Sequence, residues 1–524
     1  MSETLPEGWA FTTLGDLSMY VTSGSRDWSQ FYSDHGALFI RTQDINQNRL
    51  ASVDEIARVD LPKQTEGKRT LVRQGDLLIT ITGANVGKCA HVDIPLPEAY
   101  VSQSVALVRL AKGFSGRFVH RQLISPGSDD EHTPLQQSAY GVGRPVLNLD
   151  NVRDAPIVLA PFSEQDRIVA KIEKLLSEVD SARNNLSRVP AILKRFRQAV
   201  LAAACSGRLT EDWREGQPSV KSATELLGCL LSDRTQVYED QCRDAQTKCQ
   251  HVPKQPDNLR RVNFVLPEPV TLYDIPETWT WVSVHDVISF VQYGTSVKSD
   301  AAHDKGVPIL RMGNIQDGRI DLTSLKYISR ETENLSEFTL TKGDILFNRT
   351  NSPELVGKTA VYDTDLQAVF ASYLIRLRCD ERIARSSYVA SWISSPWGRW
   401  WARTVRTDGV SQSNINASIL RTMPLPLPPI QEQEEIAQRI DASFKLADTV
   451  EEYVSAATVR SDELTQSILA KAFRGELVPT EAELARREGR EYEPASVLLE
   501  RIKKERSEAP KIDRRPRKTM QVAH

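Results

Sequence analysis

The sequence predicts an α+β chain made of two tandem β-rich globular bodies, each followed by a long helix, with the two helices packed on each other. Three observations predict it. The first is internal duplication, which is sought before anything else. "QAVLAAACSGRLT" (198–210) returns as "QSILAKAFRGELV" (466–478). "LPEGW" returns as "IPETW", "FIRTQDI" as "ILRMGNI", "RQGDLLIT" as "TKGDILFN", and "VGK" at Val86 recurs at Val356. "GVGRPVLNLDNVRDAPI" matches "GVSQSNINASILRTMPL", and "PFSEQDRI" matches "PIQEQEEI". The order is kept and the offset stays between 268 and 270 residues (Trp9 to Trp279, Asp76 to Asp344). That period is far too long for a solenoid, so the duplicated unit is a globular body plus a helix. The second observation is composition within the bodies. Runs such as "DLLITIT" and "VALVRL" are β-branched or alternating, and Gly, Asp and Asn punctuate them. The third is apolar spacing of 4 and 3 after each body, the seam by which one helix packs on another.

The elements follow in order. The first body covers 1–160 and a helix covers 161–208. Ser163 is expected to cap that helix, with Asp166 in its first turn. Its seam runs Ile168, Ile172, Leu175, Val179, Ala182, Leu186, Val189, Leu193, Phe196 and Val200, and Pro190 is expected to kink or break it. Residues 209–273 form a charged connector with a helical piece from Ala223 to Arg234. The second body covers 274–428 and its helix 429–476. There the seam reads Ile436, Ile440, Ser443, Ala447, Val450, Val454, Ala457, Ser461, Leu464 and Ile468, whose small members suit close approach to a bulkier partner. A tail, 477–524, repeats the connector helix as "ASVLLERIKKER" and ends in a basic stretch expected to be disordered. Two matched seams within one chain favour an intramolecular pair over a coil between chains.

Composition excludes several classes. The chain has 524 residues, a net charge of -3 and 40% hydrophobic residues, and a mean hydropathy of -0.37. No run of about 18 apolar residues is present, so no transmembrane helix is expected. "MSETLPEGWA" lacks an apolar signal core, and the six cysteines form no C-x-x-C pair, so cytoplasmic free thiols are expected. The charge total leaves nucleic acid open, because binding needs only a local basic face. "GANVGK" (83–88) is one residue short of a phosphate loop, and Cys89 replaces the Ser or Thr that would hold magnesium. No metal, nucleophile or dinucleotide motif is found, and no catalytic or metal residue is proposed. Trp9 and Trp279, at the domain entries, read as packing anchors.

Two bodies that each open "P-E-x-W", followed by "P-[FI]-x-E-Q-x-x-I" and a heptad helix, resemble the specificity subunit of Type I restriction-modification enzymes. The resemblance covers almost the whole chain. It implies that the bodies are target recognition domains, each reading half of a bipartite, asymmetric double-stranded DNA target. It implies that the helices pair antiparallel as a coiled-coil ruler and dock two methyltransferase subunits, and that restriction/translocase subunits join them. The chain itself would be a non-catalytic subunit binding no cofactor, with S-adenosylmethionine, ATP and magnesium on the partners. A specificity subunit of a methyltransferase-only system, or a coiled-coil scaffold without DNA binding, are the alternatives. Loop residues able to read base edges are Arg41, Gln43, Asn85, Lys88, Gln103, Ser104 and Arg144 in the first body. In the second they are Arg311, Asn314, Arg349, Asn351, Lys358, Gln412 and Asn414. Lys88 and Lys358, at equivalent places after a glycine, are expected on phosphates.

Overall fold

The computed structural model describes residues 5–24, 28–46, 48–61, 67–125, 132–141, 145–248, 251–256, 259, 262–268, 271–299, 306–409 and 412–508. The chain divides into two units. One comprises 1–187 with 455–524; the other is the continuous stretch 188–454. The division cuts across both long helices, so each unit takes its globular body together with part of each helix.

In the first unit, the strands Ser18–Ser23, Val105–Leu110, Leu77–Thr80 and Cys89–His91 make an antiparallel sheet in that order. "LLIT" is buried on both faces. Its residues divide between two cores, as a period of two requires. Leu77 and Ile79 join the core shared with helices. Leu78 faces Leu38, Ile40 and Val101 of a second sheet, Ala99–Val101, Ala37–Ile40, Arg58–Val59 and Tyr32–Ser33. The second unit repeats this plan. Ile288–Tyr293, Leu374–Cys379, Ile345–Asn348 and Thr359–Val361 form one sheet; Lys326–Ile328, Val307–Leu310 and Val369–Phe370 form the other. Even the parallel pairing recurs, between Ala37–Ile40 and Ala99–Val101 and between Val307–Leu310 and Val369–Phe370.

The repeated motifs are the joints that close each unit. Each "E-Q" pair starts a long helix and is fully buried. In the first unit, Glu164 accepts from the Trp9 indole at 3.0 Å and from the Glu481 backbone N–H at 2.8 Å. In the second, Glu432 accepts from the Trp279 indole at 2.8 Å and the Thr210 hydroxyl at 2.7 Å, and pairs with Arg214. Gln165 and Gln433 accept from the backbone of Ser115 and Arg385. Glycine placement explains the duplicated helix endings. Gly207 lies at φ +78°, and a Cβ there would stand 2.5 Å from the ring of Pro276; Gly475 lies at φ +76° with the same distance to Pro6. Each left-handed glycine therefore seats the entry proline of a globular body. The ending of the first long helix serves the second body, and the ending of the second helix serves the first.

The first long helix is Phe162–Leu186 followed by Val189–Cys205. Pro190 has no N–H to donate and its ring opposes the Leu186 carbonyl, so the break falls at Ser187 and Arg188. The helix start differs from expectation: Pro161, not Ser163, is the N-cap residue, and no side chain caps it. The second long helix runs unbroken from Ile430 to Phe473. The pairing is antiparallel in each unit. Ile168 and Ile172 pack in one core with Ile468, Leu469 and Ala472, and further along Arg183 bonds Asp462 and Thr465. In the second unit Val200, Leu201 and Ala204 share a core with Ile436 and Ile440, and Arg197 bridges Asp448 at 2.8 Å and Glu451 at 2.9 Å. Of the seam residues, Ile172, Val179, Leu193, Ile440 and Ile468 are buried, and Leu175, Leu186, Val450 and Val454 are half-buried.

Leu464 corrects the heptad reading, because it is 50% exposed. Between Ile436 and Ala472 the inward positions advance 36 residues in ten steps (440, 443, 447, 450, 454, 457, 461, 465, 468, 472). That is the 3.6 of a straight helix, not 3.5. A strict 4-3 alternation drifts off the inner face, and the chain resets by two successive steps of 4, which puts Thr465 inside. Leu464→Glu should therefore change stability by no more than about 0.5 kcal/mol. Ile468→Asp should cost several kcal/mol through an unpaired buried charge. Urea unfolding of the two variants reads the difference directly.

A further ion pair is duplicated. The hairpin residue Arg49 meets Asp180 on the first helix at 3.8 Å, and Arg319, its counterpart, meets Asp448 on the second at 2.8 Å. Each globular body is thus tied to a long helix within its own unit.

Candidate nucleic-acid interface

The loops that follow the core strands converge at one edge of each body. In the first unit, Ser102 N–H donates to the Ile40 carbonyl at 2.8 Å, which sets the 102–104 turn beside the Arg41–Asp44 turn. Ile81 N–H donates to the Ser104 carbonyl at 2.9 Å, and the Asn85 amide donates to the Thr42 carbonyl at 3.3 Å. Gly24 passes so near that a Cβ there would lie 1.8 Å from the Val101 carbonyl oxygen. The backbone thus gathers Arg41, Gln43, Asn85, Lys88, Gln103 and Ser104. Gln43 and Gln103 are exposed; Asn85, Lys88 and Ser104 are half-buried. Arg144 and the basic stretch 511–520 lie outside the described residues.

The second unit builds the same edge. Ala371 N–H donates to the Leu310 carbonyl at 2.9 Å and Arg349 N–H to the Tyr373 carbonyl at 3.0 Å. Ile415 N–H then donates to the Arg349 carbonyl at 2.9 Å. This brings Arg311, Arg349, Asn351, Lys358 and Asn414 together, with Gln412 exposed beyond them. Asn414 pairs with Thr350 across a small sheet, its side chain accepting from the Thr350 hydroxyl at 3.0 Å. The Asn351 side chain accepts from Ser352 N–H at 2.8 Å. The Lys358 ammonium donates to the Gln316 side chain at 2.8 Å.

Two of the expected readers are structural. Asn314 is only 2% exposed, accepts from Arg311 N–H at 3.0 Å and donates to the Asp321 carbonyl at 2.9 Å, so its edge is not offered to a ligand. Arg41 is held by Asp44, its Nε and terminal nitrogen each 3.0 Å from a carboxylate oxygen. That hydrogen bonding raises the guanidinium above its ordinary pKa, and Asp44 is itself buried. Residue type alone could not separate a loop arginine facing solvent from one stapling its own turn.

Sequence reasoning missed Tyr293 and Tyr373, which are 39% and 45% exposed. The Arg349 guanidinium sits 4.7 Å above the Tyr293 ring, and the Tyr293 hydroxyl accepts from Ala417 N–H at 2.8 Å. An aromatic residue just before the glycine in "QYGTS" was the available signal, since base stacking needs such a face. At the end of the central strand each body also buries an unpartnered polar side chain, the Thr80 hydroxyl and the Asn348 amide.

Residues 276–454 match the family model described as "Type I restriction modification DNA specificity domain". The chain is 28% identical over 521 residues to the EcoKI specificity subunit of Escherichia coli strain K12, a Type I restriction enzyme component, with 96% of each covered. It is 27% identical to the StySPI specificity subunit of Salmonella potsdam, again with 96% of each covered. With the EcoBI specificity subunit of Escherichia coli the identity is 31% over 369 residues, 69% of this chain and 66% of that one. Among solved structures, a chain from work on assembly and conformational transition of the type I R-M system aligns with a TM-score of 0.60 at 19% identity, covering 90% of this chain and 99% of that one. The HsdS subunit from Thermoanaerobacter tengcongensis aligns at 0.52 and 19%, covering 91% and 99%. At such identity these two speak for the fold.

Proposed function

We propose a division of labour that follows from family: this chain belongs to the specificity subunits of Type I restriction-modification enzymes, and its two globular bodies read two different halves of one DNA target. It is the non-catalytic, DNA-recognising member of such a complex. The observation that carries the bipartite reading is that one loop architecture occurs twice with different side chains at equivalent places. Arg349 stands where the first body has Ile81, and Gly313 where it has Gln43. A shared scaffold supports two positionings on the phosphate backbone, and the differing side chains support two readings of base edges. The antiparallel long helices are the spacer between the half-sites and the dock for two methyltransferase subunits, to which restriction/translocase subunits add. S-adenosylmethionine, ATP and magnesium belong to those partners.

The test is an exchange. Residues 275–428 are replaced by the corresponding span of a related subunit, and the variant is expressed with its methyltransferase. Mapping of methylated adenine should show one half of the recognised sequence changed and the other retained. A change in both halves, or in neither, would overturn independent reading. Lys88→Ala should weaken binding to all duplexes alike and lower the slope of log affinity against log salt by roughly one unit. A shift in base preference at unchanged slope would reverse that assignment.

A further inference from the structure

Arg41 and Arg311 are equivalent in the duplication, each leading a short helical turn after a core strand. Their surroundings differ by one substitution three residues on. Asp44 in the first body becomes Asn314 in the second. Asp44 binds the Arg41 guanidinium with both carboxylate oxygens. Asn314 keeps only the bond to the backbone N–H of Arg311 and turns its amide to the Asp321 and Ser324 carbonyls. The Arg311 guanidinium is left without a carboxylate among the described residues, and its Nε is buried without a hydrogen-bond partner.

The neighbours of Arg311 deepen the difference. Arg349, linked to it through residues 371–373, has the Ser372 carbonyl at 3.5 Å and the Tyr293 ring as its contacts, and its Nε is also buried and unpartnered. Lys358 is bonded to a neutral amide. Among the described residues, none of these three cations is paired with a carboxylate. In the first edge Arg41 is neutralised and Ile81 replaces Arg349. A guanidinium with no carboxylate beside it keeps its charge for an acceptor that a ligand brings.

We infer that Arg311, with Arg349 beside it, is a DNA-contacting residue of the second recognition domain, whereas Arg41 is a positioning residue that holds its own turn. The two equivalent arginines then do different work, Arg311 gripping DNA in the second half and Arg41 holding its own turn in the first. The chemistry sought is a pair of acceptor oxygens or an oxygen and nitrogen edge, supplied by a phosphate or by guanine. This rests on the DNA-recognition reading above.

The experiment uses the complex of this chain with its methyltransferase, titrated at several salt concentrations. The probes are duplexes carrying the mapped target and single mismatches in either half. Arg311→Gln should lower the salt slope by about one unit, and Arg41→Gln should leave it unchanged. Asp44→Asn keeps an acceptor for the Arg41 backbone N–H but releases the guanidinium, so it should raise the slope by about one unit. Equal weakening across all duplexes after Arg311→Gln assigns the contact to phosphate; relaxed discrimination at one position of the second half assigns it to guanine. The inference is overturned if Arg311→Gln changes neither the slope nor the discrimination, if Arg41→Gln changes either as much, or if Asp44→Asn, shown by its melting curve to be folded, does not raise the slope. A wild-type complex with no salt-dependent binding to any duplex would sink the recognition reading itself, a different result.

Discussion

Glu432→Leu is expected to destabilise the 188–454 unit by about 3–5 kcal/mol, the usual penalty for removing one member of a buried ion pair. The carboxylate is fully buried, and three donors converge on it: the Trp279 indole, the Thr210 hydroxyl and the Arg214 guanidinium. Leucine fills a similar volume but leaves all three unanswered, one of them charged. Glu164→Leu in the other unit should cost less. There the converging donors are the Trp9 indole and the Glu481 backbone N–H, both neutral, and Arg167 pairs instead with Glu481 at 2.7 Å. Burial already raises the Glu164 carboxyl above its ordinary pKa. Urea unfolding followed by tryptophan fluorescence should show a larger drop for Glu432→Leu than for Glu164→Leu. Equal drops, or a loss for Glu432→Leu below about 1 kcal/mol, would remove the charged donor from the explanation.

Acidification should destabilise the first unit through His120. This imidazole is 7% exposed and bonds the Cys89 carbonyl at 2.9 Å. Burial pushes its pKa down to about 4, and the Arg121 and His91 charges press the same way. The unfolded chain takes up this proton near pH 6.5, while the folded chain refuses it until about pH 4. Stability is therefore complete above pH 6.5 and falls across the window down to about 4, by roughly 3 kcal/mol in all. Unfolding at about pH 7.5 and about pH 4.5 should show a loss in the wild type that His120→Asn largely lacks. Parallel losses in the two proteins would place the acid sensitivity elsewhere.

Much of the fold was readable because duplication and periodicity are properties of the one-dimensional chain. The paired bodies, both long helices and the break at Pro190 all follow from spacing and from the missing proline N–H. What escaped depends on which groups meet in space. Leu464 obeyed the heptad and yet faces outward, because ten turns of straight helix exceed what a 3.5 repeat can track. Asn314 and Arg41 had the right chemistry for base edges, but Arg41 is occupied by a carboxylate three positions on, and the Asn314 amide by the Asp321 and Ser324 carbonyls. The glycines at 207 and 475 were seen as a repeated ending. That they seat prolines of the opposite bodies needs the antiparallel pairing, which no local window contains.

The nesting of one unit inside the other fixes an order of events during synthesis. The 188–454 unit is continuous and can close as soon as its last helical turn emerges. The unit that holds 5–187 starts to emerge before it, but its core lacks Ile468, Leu469, Ala472, Leu498 and Ile502, and Glu164 lacks its Glu481 partner, until the continuous unit has been made. At about 5–20 residues per second, the roughly 300 residues from Ile168 to Ile468 correspond to about 15–60 s. Through that interval the side of Ile168 and Ile172 that packs against Ile468, Leu469 and Ala472 is left uncovered. Of the two units, the one begun earlier is completed later, and a chain cut short between residues 455 and 468 would release a finished 188–454 unit attached to an unfinished partner.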